Sequence, residues 1–261
     1  MIEIEWALLS GALVGFIVGI TGVGGGALMA PILLLGFKLD LTVVIATDLL
    51  FATITKLAAS GLHAKNGYVD RQIIKRMWLG SIPAAVIVVA LAHSGLLFDH
   101  PSWIATLLGF LVILSGLSML FGKYFQALQK RRRIATPTSF KKLQPSATVL
   151  GGVLLGGLVS TTSIGAGAVG ALLLRALYPL RMQPKNLVAT DTLHAIPVSL
   201  IAGVSYLGMG YTHLELLSYL VLGSIPAAII GSHMVTLSKP ELIKNLLSIA
   251  LLIAGYKLLS T

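Results

Sequence analysis

The chain has 261 residues, of which 56% are apolar and 11% charged. That balance, with a mean hydropathy of +0.92, excludes an ordinary soluble domain, which carries about 25% charged residues to face water. The net charge of +10 does not imply nucleic acid, because the basic residues cluster between apolar runs and no basic-aromatic face accompanies them.

The amino terminus carries Glu3 and Glu5 without Lys or Arg, so it lacks the positive region that opens a cleaved signal peptide. Residues 5–37 form one apolar stretch broken by Thr21-Gly22-Val23-Gly24-Gly25-Gly26. As a single helix it would be about 50 Å long, against a hydrocarbon core of about 30 Å. Split at the glycines, it predicts two arms that each reach about halfway across. Three runs long enough to span a bilayer follow, at 43–62, 73–93 and 103–122. Residues 123–145 hold Lys123, Lys130, Arg131, Arg132, Arg133, Lys141, Lys142, Pro137 and Pro145, and read as a basic cytoplasmic linker that anchors orientation. Residues 147–178 repeat the broken arrangement, interrupted at 161–167, and three more spans are expected at 187–206, 214–236 and 242–260.

The two halves are copies. Leu79-Gly80-Ser81-Ile82-Pro83-Ala84-Ala85 recurs as Leu222-Gly223-Ser224-Ile225-Pro226-Ala227-Ala228, and Ala46-Thr47-Asp48 as Ala189-Thr190-Asp191, both 143 residues on. Thr21-x-x-Gly24-x-Gly26-Ala27 recurs as Thr162-x-x-Gly165-x-Gly167-Ala168, 141 residues on. The chain thus divides into repeat 1 (1–122), the linker (123–145) and repeat 2 (146–261). If the broken segments cross the membrane, the halves are parallel; if they are re-entrant hairpins, the halves are inverted. With the linker inside, the inverted arrangement puts all Lys and Arg inside except Lys38, Lys56 and Lys257, whereas the parallel one puts Arg175, Arg181, Lys185, Lys239 and Lys244 outside. The positive-inside rule therefore favours the inverted repeat, with both termini outside. The expected fold is an all-α polytopic membrane protein of two inverted halves, each a glycine-rich broken hairpin plus three transmembrane helices.

Gly11, Gly15 and Gly19, spaced by four, predict close helix packing. The breaks suggest chemistry, since backbone groups freed at membrane depth need protein or a polar cavity to satisfy them. Helix ends meeting near the bilayer centre would form an anion site. Thr21, Thr161, Thr162 and Ser163 would supply hydroxyls, and Gly24, Gly25, Gly26, Gly165 and Gly167 close backbone approach. Asp48 and Asp191 are the only acidic residues more than a turn inside predicted spans, Glu215 standing at the edge of one, and they are repeat-equivalent. Intramembrane carboxylates mark ion paths, proton relays or binding sites, or are structural acceptors at helix ends. Lys56, deep in a span, would pair with Asp191, contact an anion, or snorkel to the interface. His194, close to Asp191, is either a relay member or a satisfied core histidine. The repeated Gly-Ser-Ile-Pro motif reads as packing or a hinge. No cysteine is present, no enzymatic motif stands out, and no metal or cofactor is expected.

The ordered set Gly15-x-x-x-Gly19-x-x-Gly22-x-Gly24-Gly25-Gly26 with Pro31, Ala46-Thr47-Asp48-Leu49-Leu50 with Thr55-Lys56, Gly67-Tyr68-Val69-Asp70, Ala189-Thr190-Asp191-x-x-His194-Ala195 and Gly223-Ser224-Ile225-Pro226 resembles the TauE/SafE family of bacterial membrane transporters, the sulfite/organosulfonate exporter group. Many members have Gly-Thr-Ser where this chain has Thr-Asp. The resemblance implies secondary transport of a small sulfur-containing anion, such as sulfite, thiosulfate, sulfoacetate or another sulfonate, across the bacterial inner membrane. Protons are the expected coupling ion, with antiport and symport both compatible. Thr47 and Thr190 would join the hairpin tips in the site, with Asp48, Asp191, Lys56 and His194 in coupling or gating. The competing readings are a passive anion channel using the same helix ends, or a membrane-embedded enzyme or assembly factor.

Overall fold

Proline and glycine punctuate an otherwise continuous apolar chain, and the helices begin and end where they fall. A computed structural model of the chain describes residues 4–21, 26–65, 68–98, 101–135, 137–234 and 240–260, and these residues form ten α-helices with no strand among them. Helices α1 (Ile4–Thr21) and α2 (Gly26–Pro31) make the first broken segment. Pro31 lacks the N–H that would continue an α-helical ladder, and the chain passes into a π-helical turn at Ile32–Gly36, closed by Phe37 N–H donating to Ile32 O at 3.2 Å. Helices α3 (Leu41–Lys65), α4 (Arg71–His93) and α5 (Pro101–Ala135) follow. Repeat 2 comprises α6 (Pro137–Thr162), α7 (Val169–Leu177), α8 (Pro184–Gly208), α9 (Leu214–Met234) and α10 (Pro240–Ser260). Proline opens α5, α6, α8 and α10, where its missing donor is one the first turn would leave unused.

Among the described residues, six helices are long and apolar enough to cross a membrane: those covering 41–59, 71–93, 102–122, 141–162, 185–208 and 214–234. The basic stretch 123–145 is helical on both sides of residue 136, because α5 runs on to Ala135 and α6 starts at Pro137. At 35 residues, α5 is about 52 Å long, and its last turns exceed a hydrocarbon core of about 30 Å.

The packing interleaves the halves. Helix α1 lies along α9, and its repeat-equivalent α6 lies along α4; α3 packs on α8, and α5 on α10. In α1/α9, Gly11 faces the Leu220 backbone, Gly15 that of Ser224 and Gly19 that of Ala228. In α6/α4, Gly152 faces Met77 and Gly156 faces Ser81, while Gly80 reciprocally faces Val149 as Gly223 faces Leu8. These are the same contacts translated by the repeat. The pairs of small residues bring backbones together, as the spacing by four predicts, and the duplicated Gly-Ser motif supplies the other side of each crossing. Helices α3 and α8 run antiparallel, with Leu50 against Gly203 and Thr53 donating to Ser199 Oγ at 2.8 Å. Helices α5 and α10 are also antiparallel, with Gly109 against Leu258 and Leu259 and Gly116 against Ser248 and Leu252.

Candidate functional site

The second break is built by backbone geometry. After Thr162 the chain turns through Ser163 (φ 60°), Gly165 (φ 147°) and Gly167 (φ 103°) before α7 begins. Glycine enters this region without steric cost; Ser163 does so at a cost of about 1–3 kcal/mol, which its surroundings must sustain. Thr162 braces the turn, its Oγ1 donating to Leu158 O at 2.8 Å and Ile164 O at 3.0 Å and accepting from Ile164 N–H at 3.2 Å. Thr161 Oγ1 donates back to Gly157 O at 2.8 Å. Residues 161–168 are all buried. Two of the hydroxyls read as anion donors are therefore turned onto their own backbone. Gly24 and Gly25 lie outside the described residues, as do the side chains of Thr21 and Gly26.

Ser163 instead donates to Asp48 Oδ2 on α3. On α8, the Asp191 carboxylate lies against Gly170 in the first turn of α7, so close that a Cβ there would collide with Oδ1, and the Gly167 backbone N–H faces it. Both intramembrane carboxylates thus converge on the same break. Lys56, about 12 Å further along α3 than Asp48, lies in electrostatic range of Asp191 and Asp48 without a direct ion pair to either among the described residues. Asp48 is 0% exposed, and Lys56 and Asp191 are each 4% exposed. Lys56 therefore does not snorkel to water. Ionised charges enclosed this deeply are stable only when paired, and the cluster holds two carboxylates to one ammonium. Asp48 Oδ1, Asp191 Oδ1 and His194 Nδ1 have no hydrogen-bond partner among the described residues.

His194, one turn beyond Asp191, places Nε2 2.9 Å from Ser81 Oγ on α4. Its carbonyl accepts from Trp78 Nε1 at 3.1 Å. On the other side of the pseudosymmetry, Thr55 Oγ1 and Ser224 Oγ on α9 are 3.0 Å apart. The serines of the repeated motif therefore reach the polar cluster as well as the glycine crossings, a contact that sequence reasoning missed. Tyr206 OH closes a further buried bond to Ser160 O at 2.9 Å. Serines in apolar helices most often bond their own backbone, so no pattern announced these partners.

Thr47 and Thr190 are both fully buried. Thr47 Oγ1 accepts from His213 N–H and Thr190 Oγ1 from Asp70 N–H, each at 3.1 Å. The two acceptors and the two donors are both repeat-equivalent pairs. Asp70 Oδ1 in turn caps α4 through Ile73 N–H, and His213 Nδ1 caps α9 through Leu216 N–H, each at 3.2 Å. Each threonine thus ties its helix to the entrance of a helix in the other half. On one side the tie is reinforced: Arg181 donates to Asp70 at 3.0 Å and to Gln72 at 3.0 Å, and Asn186 donates to Tyr68 O at 3.0 Å. No group of three or more metal-ligating side chains occurs among the described residues.

The family model described as "Sulfite exporter TauE/SafE" matches residues 7–258. A Bacillus subtilis protein, "Probable membrane transporter protein YjnA", is 31% identical over 255 residues, covering 97% of this chain and 98% of the relative. A second from the same organism, "Probable membrane transporter protein YdhB", is 24% identical over 254 residues, 95% of this chain and 96% of the relative. A "Probable membrane transporter protein" of Haemophilus influenzae is 27% identical over 169 residues, 61% of this chain and 58% of that protein. No solved structure matches the chain significantly.

Proposed function

The chain belongs to the sulfite exporter TauE/SafE family and is a multi-pass membrane transporter, and from that premise we propose that it moves a small sulfur-containing anion, sulfite, thiosulfate, sulfoacetate or another sulfonate, across the bacterial inner membrane by proton-coupled secondary transport. The observation that carries this reading is the convergence of Asp48 and Asp191 on the buried break before α7, with the buried Lys56 in electrostatic range of both. The Asp191 carboxylate lies at the amino-terminal end of α7, where helix geometry offers an oxyanion its amides and positive dipole. An anionic substrate competes with that carboxylate for the same amides and for Lys56. Protonating Asp48 or Asp191 as the anion enters keeps the charge of the enclosed cluster constant, which couples the two movements. Ser163, Gly165 and Gly167 at this tip, with Thr161, Thr162, Thr47 and Thr190 holding its frame, form the substrate region; Thr21 and Gly24–Gly26 belong to the equivalent tip. His194, held by Ser81 one turn beyond Asp191, is the candidate gating residue.

Thermal unfolding of the detergent-purified protein tests the site. Sulfite, thiosulfate, sulfoacetate, taurine, sulfate, acetate and phosphate are compared, because a ligand of the folded state raises Tm by mass action. We expect shifts with sulfur anions only. We also expect Thr162→Val, which unbraces the turn, to lower the apparent affinity about tenfold, equivalent to about 1.4 kcal/mol. No shift with any sulfur anion counts against the substrate class. Saturable uptake with trans-acceleration in proteoliposomes separates a carrier from a passive channel.

We also infer an inverted arrangement of the halves, supported by the antiparallel pairing of α3 with α8 and of α5 with α10. A two-fold axis in the membrane plane brings equivalent helices together antiparallel, whereas an axis along the normal brings them together parallel. The chain has no cysteine, so single-cysteine variants report topology directly. Cysteines at Lys65, Lys130 and Lys185 are expected to react with membrane-impermeant maleimide only in inside-out vesicles, and one at Thr261 only in right-side-out cells. Labelling of the Lys65 and Lys185 positions from opposite faces overturns the inverted reading.

A further inference from the structure

An apolar crevice of about 500 Å³ runs between α5 and α7, walled by Leu114, Leu117 and Phe121 on one side and Val169, Leu173 and Ala176 on the other. Its floor touches the break: Ser118 Oγ donates to Ala168 O at 3.5 Å. At the far end the half-buried Arg175 lays its guanidinium on α5 over Gly122, where a Cβ would stand 2.5 Å from Nη1. Among the described residues, Arg175 has neither a hydrogen-bond acceptor nor a carboxylate partner. A half-buried cation at one end of an apolar slot is incomplete chemistry, because the guanidinium offers a planar fork of donors that matches a phosphate or carboxylate.

We propose that this crevice is a binding site for an anionic phospholipid, with one acyl chain lying against α5 and α7 and the phosphate held by Arg175. Charge complementarity selects this occupant over a second copy of the chain, since Arg175 needs an anion and the walls offer only apolar surface. Beyond Gly122 the sequence of α5 continues into Lys123, Lys130 and Arg131–Arg133, so the cationic end of the slot belongs to the most basic part of the chain, where anionic headgroups concentrate. The site is confined to one half: the residue 141 positions before Arg175 is Leu34, so the pseudosymmetric position has no cation. A lipid seated here also bears on the break through Ser118 and Ala168, holding α7 against α5.

The full chain, delipidated in detergent, tests this by native mass spectrometry and thermal unfolding with phosphatidylglycerol, with diacylglycerol, and with inorganic phosphate. The expected result is one retained phosphatidylglycerol per chain and a raised Tm, with neither diacylglycerol nor phosphate reproducing the shift. Arg175→Leu, which installs the residue found in repeat 1, should weaken retention at least tenfold. Ala176→Trp, which fills the slot and leaves Arg175 in place, should do the same, and carries the test alone if the arginine variant does not fold. Equal retention by wild type and Ala176→Trp overturns the proposal. So does an equal shift from diacylglycerol or phosphate alone, or a dimeric mass that dissociates when the slot is filled.

Discussion

Lys56→Met is expected to abolish anion uptake into proteoliposomes, by at least about 100-fold, and to destabilise the protein more than removing all three charges together. Among the described residues, Lys56 is the one cation enclosed near Asp48 and Asp191. Removing one partner of a buried ion cluster strands the others, typically costing about 3–5 kcal/mol, whereas neutralising the whole cluster is often nearly neutral. The variant Lys56→Met/Asp48→Asn/Asp191→Asn should therefore recover most of the wild-type Tm while remaining inactive, because it keeps the packing and loses the charge exchange. The same cycle separates roles from structure. A carboxylate that only receives bonds from helix ends is replaceable by asparagine without loss of transport, while one that carries a proton is not. Uptake by Lys56→Met within about twofold of wild type would sink the idea that this cluster meets the substrate.

The parts of this site that were legible in the sequence are those whose chemistry conflicts with their surroundings. Asp48, Asp191 and Lys56 stand out because charge inside apolar runs is costly in lipid, and the break at 161–167 because glycines and hydroxyls interrupt a span twice. Hydroxyl direction was not legible. Thr161, Thr162 and Ser163 look equivalent in sequence, but only Ser163, held at φ 60°, turns its oxygen to Asp48, while the two threonines bond their own helix. The same limit hid Ser81, Ser199 and Ser224, which reach across to His194, Thr53 and Thr55. His213 caps α9 with an imidazole nitrogen at the position where Asp70 caps α4 with a carboxylate. For the fold, hydropathy anticipated five of the six helices long enough to cross a membrane, but the first arm of the segment 147–178, expected to reach halfway, lies in the 26-residue α6. The continuous helices on either side of residue 136 were not legible, because Pro137 and Pro145 read as breaks although Pro137 occupies a first turn, where proline is tolerated. The glycine spacing announced close crossings, but which helix met which was settled by the interleaving of the two halves, which no local pattern encodes.

Those crossings set up the sharpest structural contrast in the chain, between two adjacent residues of one type. Gly156→Ala is expected to eliminate most of the folded protein, whereas Gly157→Ala should be silent or slightly stabilising. A methyl group at 156 would stand 2.6 Å from Ser81 Cα and 2.8 Å from its carbonyl carbon, while nothing lies within 4 Å of the position it would take at 157. Overpacking a well-fitted interface costs about 1–3 kcal/mol, and more where the neighbour cannot move. Here the neighbour is backbone, so α4 and α6 must part along their length, which also pulls Ser81 from His194. At 157 the change instead removes glycine's conformational entropy from the helix, a gain of about 0.5–1 kcal/mol. Fluorescence-detected size-exclusion yield and Tm in one detergent measure both. Gly15→Ala in α1 should match Gly156→Ala, since a Cβ there would stand 2.7 Å from Ser224 Cα at the repeat-equivalent crossing. If Gly156→Ala folds at wild-type yield, the two helices are not in backbone contact, and the interleaved pairing of the repeats loses its physical basis.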